Sequence, residues 1–247
     1  MASCCLEGFQ WDGTPIGQET TFADHNVYVT GSNTDAAVLI VHDILGWKFP
    51  NTRLLADSYA RDANVTVYIP DFFGGESIAP DIIYDLVKRA AYDIPGFISR
   101  NSKEIREPQI TSVAKALKAQ YKSVGAIGFC WGGWAVFRLG NKANDNLVDA
   151  IVAAHPTHLT EEEIQNVGVP TQILAPETDS QYPPELKAFT NKVLPELGID
   201  YDYQHFAGLD HGFATKGDRS SPVAVKGLER AQTAAAHWFK LHLHHGR

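Results

Sequence analysis

The sequence predicts an α/β fold: a doubly wound, mostly parallel sheet with helices on both faces. Two observations carry this. Continuous apolar runs closed by turn residues recur along the chain, as expected of strands buried on both faces. Amphipathic segments of helical length separate them, which makes βαβ units. A third observation, GAIGFCWGGW at residues 125–134, marks a strand that turns abruptly into a helix.

The first run is AAVLIVHDILG (36–46), and VTVYIPDFFGG (65–75) repeats it. SVGAIGFC (123–130), VDAIVAAHP (148–156), TQILAPETD (171–179) and DYDYQHFAG (200–208) follow. Segments 51–62, 109–120, 183–197 and 222–243 have the amphipathic pattern of helices. Residues 74–108, with Gly74, Gly75, Pro80, Pro95 and Gly96 around a weakly helical DIIYDLVKRAA, read as an insertion over the strand ends. Open α/β sheets bind ligands there. Thr160 with Glu163 three positions on reads as a capping box rather than a binding site.

The chain of 247 residues is 44% hydrophobic, enough for a packed core. No repeat, low-complexity tract or long linker divides it, so one domain over 1–247 is expected. A formal charge of −8 argues against nucleic-acid binding. No apolar run approaches the roughly 20 residues of a membrane span, and MASCCLEGFQWDG does not read as a secretory signal. Three cysteines, two of them adjacent at Cys4 and Cys5, make a disulfide framework improbable and a reducing cytoplasm the default.

Cys130 sits between Gly128 and Gly132. A strand-to-helix turn this tight strains its central residue and brings neighbouring backbone close, so the residues two before and two after must be small. The pattern is a nucleophile elbow. A thiol there also meets the partial positive charge of a helix N-terminus. A cysteine nucleophile needs a base and an orienting acid, following it in the order acid, then histidine, on later strand ends. Asp179 and His211 fit that order, with Glu177 and Asp210 as competitors for the acid. Of ten histidines, His211 alone lies on a loop after the last strand, beside Gly212. His155, at the end of a central strand, reads as packed and hydrogen-bonded.

With Cys130 in Gly-x-Cys-x-Gly, Asp179 after a late strand and His211 in DHGFA, the chain resembles the dienelactone hydrolase family. VHDILGW (41–47), PDFFGGE (70–76) and the N-terminal CCLEGFQWDGTPIG are similar too, the last to its fungal branch. The resemblance spans nearly the whole chain. It implies an α/β-hydrolase fold and a Cys-His-Asp triad that cleaves esters or lactones without a cofactor or metal. It further implies an oxyanion hole from the amides of Ile44 and Trp131 and a nucleophile-tuning acid at Asp43, where many relatives carry Glu. Family members hold a substrate carboxylate with arginines; here Thr215 stands where one follows the histidine, which points to a substrate without a carboxylate. Lys216 and Arg219 are the nearby substitutes. Trp47, Phe73, Trp131 and Phe213, near the strand ends, suggest an apolar or aromatic pocket.

The expected partner is a small-molecule ester or lactone, the protein being a monomer or homodimer. Two other readings are open. The same triad could serve an acyltransferase or a tailoring enzyme of secondary metabolism. Alternatively, Cys130 could be the oxidisable thiol of a non-catalytic, redox-sensing protein, with Cys4 and Cys5 as the only further cysteines. The tail histidines His242, His244 and His245 lack metal-ligand spacing with a carboxylate.

Overall fold

In the computed structural model, which describes residues 11–144 and 147–244, the six apolar runs lie side by side in one sheet. They are β3 (Ala36–Val41), β4 (Thr66–Pro70), β5 (Ser123–Phe129), β6 (Ala150–Ala154), β7 (Thr171–Thr178) and β8 (Tyr201–Asp210). These six pair in parallel. Two further strands, β1 (Gln18–Phe22) and β2 (His25–Thr30), form an antiparallel hairpin at the edge, giving the order β1-β2-β4-β3-β5-β6-β7-β8. This is the α/β-hydrolase sheet.

Side-chain alternation divides each central strand between two cores. Ala37, Leu39 and Val41 pack with α5 (Lys103–Gln120) and α6 (Gly133–Leu139) on one face. Ala36, Val38 and Ile40 pack with α1 (Pro50–Asp62) and α10 (Pro222–His244) on the other. The smaller helices follow the chain: α2 (Pro80–Tyr84), α3 (Leu86–Ala91) and α4 (Ile94–Arg100) in the insertion, then α7 (Glu161–Gln165), α8 (Pro184–Val193) and α9 (Phe213–Lys216). The expected capping box starts α7: the Thr160 hydroxyl accepts from the Glu163 amide, and the Glu163 carboxylate accepts from the Thr160 amide.

Two features differ from the sequence expectation. The β1–β2 hairpin was not foreseen, because QETTF is almost wholly exposed and polar and its turn uses Ala23 and Asp24 at positive φ rather than the usual Asn-Gly. Helix α5 begins at Lys103, six residues before the expected start, with Pro108 inside it. Pro108 is the sixth residue of the helix, past the amides that a first turn leaves free, so α5 runs through it with one intrahelical hydrogen bond missing. Cys4, Cys5 and the start of the CCLEGFQWDGTPIG segment, like His245, lie outside the described residues.

Candidate active site

The strand-to-helix turn after β5 holds Cys130 at φ 48, in the left-handed region. A 3-10 turn, Cys130–Gly132, leads into α6. The glycines are explained by backbone contact: a Cβ on Gly128 would collide with the Gly132 carbonyl, and one on Gly132 with the carbonyl of Val41 on neighbouring β3. The thiol is therefore raised above the strand ends on a turn that admits no larger neighbours.

Two later strands deliver the partners. The Nε2 of His211, just past β8, lies 3.1 Å from the Cys130 sulfur. Its Nδ1 donates to both carboxylate oxygens of Asp179, each at 2.9 Å. Asp179 is itself fixed by the Gln181 and Tyr182 amides, which donate to Oδ1. The competing acids face elsewhere: Glu177 accepts from the Gly208 amide, and Asp210 is exposed. Burial opposes charge on His211, but the Cys130 sulfur, the hydrogen bonds to Asp179 and Cys130, and the Asp179 charge outweigh it. Its pKa is pushed up to about 10.

A cavity of about 300 Å³ opens on Cys130 and His211. Ile44 and Trp131 both lie on its wall, as does Asp43. The hydrogen bonds of Asp43, however, go to groups other than the sulfur. Its Oδ1 accepts from the Leu45 amide and its Oδ2 from the Thr215 hydroxyl, at 2.9 and 2.8 Å. Among the described residues no hydrogen bond joins it to Cys130, so direct tuning of the nucleophile is not what this geometry offers. Burial raises the Asp43 pKa against these two hydrogen bonds.

The expected aromatic pocket also needs correction. Trp47 is buried in the core on the α1 and α10 face, with the Arg53 guanidinium 5.0 Å above its ring. Phe73 stands edge-on behind Trp131 at 4.8 Å, and Phe213 packs on Phe206 and His155. None of the three lies on the cavity wall, because large apolar rings at strand ends gain more from full burial than from a solvated wall. Trp131 does reach it and is locked by its Nε1 donating to the Asn101 carbonyl.

The insertion adds Ile83, Arg89, Ile94 and Ile98 to the wall, and Lys216 lies on it as well. The Lys216 stem crosses over Gly212, where a Cβ would strike it, and its ammonium lies 5.8 Å from the Tyr84 ring. Burial lowers its pKa, while Cys130 and Asp43 oppose that shift. Thr157, after β6, carries no mark in the sequence beyond its place two residues from His155 at the end of a central strand. Its hydroxyl is 3.3 Å from the Cys130 sulfur. His155 is fully buried with its ring 5.0 Å from that of His211, and neither of its nitrogens has a hydrogen-bond partner among the described residues. Its expected hydrogen bonding is absent. Burial, then the charges of His211 and Lys216, hold its pKa well below the usual value.

The model of the dienelactone hydrolase family matches residues 26–243. The chain belongs to the dienelactone hydrolase family. It is 30% identical over 247 residues to the carboxymethylenebutenolidase homolog of Homo sapiens, covering 97% of this chain and 96% of that one. It is 29% identical over 246 residues to the hydrolase tropI of Talaromyces stipitatus, covering 96% and 94% respectively. The crystal structure of dienelactone hydrolase from Anabaena variabilis superposes with a TM-score of 0.64 at 16% identity, over 92% of this chain and 97% of that one. This family member is thus an enzyme, a hydrolase acting on esters or lactones. Among the described residues no helix is long and apolar enough to cross a membrane.

Proposed function

We propose that the chain hydrolyses a carboxylic ester or lactone through a Cys130 thioester, with His211 as acid and base and Asp179 as its orienting acid. The observation that carries this is the unbroken line Asp179–His211–Cys130, at 2.9 and 3.1 Å, opening on a cavity. Cys130 passes its proton to Nε2 of His211, whose neighbours favour the charged imidazole, and the sulfur attacks the carbonyl carbon as the nucleophile. The oxyanion that forms is received by the amides of Ile44 and Trp131. As the carbonyl re-forms, the C–O bond to the leaving group breaks and Nε2–H protonates that oxygen. Neutral His211 then takes a proton from water as its oxygen bonds to the acyl carbon. The C–S bond breaks, the acid departs, and Cys130 and His211 are left as they began, sharing one proton.

The wall favours an acyl group that is largely apolar but carries an anion. Ile44, Ile83, Ile94 and Ile98 supply apolar surface, while Arg89 and Lys216 supply two cations. Thr215, in the place where an arginine would be expected, is committed to Asp43, so the cations come from other positions. The substrate is accordingly read as an ester or lactone bearing a carboxylate.

The test is hydrolysis of a panel of aryl esters and lactones, with and without a carboxylate, by wild type and by Cys130→Ala and His211→Ala. Turnover is expected to fall by about 1,000-fold or more in both variants, with thermal melts confirming that they fold. Wild-type turnover in either folded variant would sink the triad. Product analysis with an alcohol as competing acceptor separates hydrolysis from acyl transfer.

A further inference from the structure

We infer that Thr157 is a fourth catalytic group: its hydroxyl donates to the Cys130 sulfur in the free enzyme and to the attacking water once the sulfur is acylated. This rests on Cys130 being the nucleophile. Thr157 Oγ1 lies 3.3 Å from the sulfur and 3.5 Å from His211 Nε2, and those two atoms are 3.1 Å apart. The three atoms form a closed triangle around the reacting centre. Oγ1 has no other hydrogen-bond partner among the described residues.

The placement is built, not incidental. The Thr157 amide donates to the carbonyl of Cys130 itself at 2.8 Å, so the two residues move as one. Thr157 is buried, and both His155 and His158 on either side of it hold positive φ, at 39° and 60°. Pro156 between them seats against Gly133 at the start of α6, where a Cβ would meet the proline. Backbone strain of this kind persists only where the surroundings impose it.

A hydroxyl offers one donor and two acceptor sites. While His211 is imidazolium, its Nε2–H can only donate, so the free proton of Oγ1 has the sulfur as its acceptor. That contact favours the charged sulfur, as hydrogen bonds to charged groups do. In the thioester the sulfur is uncharged and a poor acceptor. The same proton is then released beside Nε2, where the deacylating water must sit, and Oγ1 donates to that water while Nε2 takes its proton. Thr157 itself gains and loses no proton.

The measurement is the pH dependence of iodoacetamide alkylation, followed by mass spectrometry of the peptide carrying Cys130, for wild type, Thr157→Val and Thr157→Ser. Val keeps the shape and removes the hydroxyl; Ser restores it. Thr157→Val should be alkylated about ten-fold more slowly at pH 6 and show a profile displaced to higher pH. Thr157→Ser should return close to wild type, and thioester hydrolysis in single-turnover experiments should slow only in the Val variant. Coincident profiles for Val and wild type overturn the proposal, as does a Ser variant no better than Val, since a packing role alone would give that. Hydrolysis that survives complete alkylation of Cys130 overturns the nucleophile reading instead, and with it the water-holding half of this one.

Discussion

The two walls of the cavity are made differently. The wall bearing Cys130, Thr157 and His211, with Asp179 hydrogen-bonded to the far side of the His211 ring, is a row of strand ends. Its backbone is in contact with itself, as the collisions awaiting any Cβ at Gly128 and Gly132 show. The facing wall is three short helices, α2 to α4, each five to seven residues long. It exposes Leu86 and Val87 at 79% each and is tied by surface ion pairs, Lys88–Asp81 and Arg100–Glu76. Such pairs contribute little, and helices this short are not stable on their own. On the proposed mechanism, the chemistry falls to the strand-end wall and substrate selection to the insertion.

The largest effect expected from this contrast is on stability. Gly132→Ala should cost about 3 kcal/mol, because its Cβ meets the Val41 carbonyl and backbone cannot step aside as a flexible side chain can. Gly75→Ala, at φ 86 with nothing within 4 Å of the added carbon, should cost only about 1 kcal/mol from the left-handed backbone. Urea unfolding of both variants measures the gap. Equal losses would mean that the nucleophile turn is no more constrained than the entrance to the insertion.

Next comes selectivity. Arg89 belongs to the insertion wall, and Arg89→Ala should raise KM about ten-fold for an aryl ester bearing a free carboxylate while leaving kcat unchanged. For the corresponding neutral ester the change should stay under about two-fold. Steady-state kinetics on the matched pair checks it. A fall in kcat for both esters would show that Arg89 supports the rigid wall rather than reading the substrate.

The same division explains what could be read from the sequence. The rigid wall leaves local marks: apolar strands, small residues two before and two after a nucleophile, an acid and a histidine on successive strand ends. Cys130, Asp179 and His211 were therefore legible and are brought together. Ile83, Arg89, Ile94 and Ile98 carry no such mark, because LVKRAA and IPGFISR are short amphipathic pieces whose inward face depends on how the insertion folds back. Trp47, Phe73 and Phe213 erred in the opposite direction, since hydrophobicity near a strand end does not say which side of the wall a ring occupies. Asp43 was placed correctly on the chain but not in its contact, which is decided by Thr215, 172 residues away. Strand β1, polar and exposed, has too little apolar content to announce the β1–β2 hairpin.

The smallest expected effect separates two histidines within the rigid wall, their rings 5.0 Å apart. His211 has its pKa raised to about 10, so its charged form contributes stability that is fully present below about pH 6.5 and lost as pH rises through about 10. His155 is shifted the other way, first by burial and then by the charges of His211 and Lys216. Below about pH 6.5 the unfolded chain takes up a proton on His155 that the folded protein refuses, so stability falls toward acid. From the unfolded value alone, this one group should remove about 0.8 kcal/mol between pH 7.5 and 6. His155→Phe keeps an aromatic ring against His211 and has nothing to titrate. Its urea-derived stability should therefore fall less over that interval, by about the same 0.8 kcal/mol. Any constant cost of Phe at this positive φ cancels in the difference, as does the contribution of buried His42, whose lowered pKa is common to both proteins. An unchanged acid slope would mean that His155 carries a proton in the folded state, and the cation beside it would then have to be reassigned.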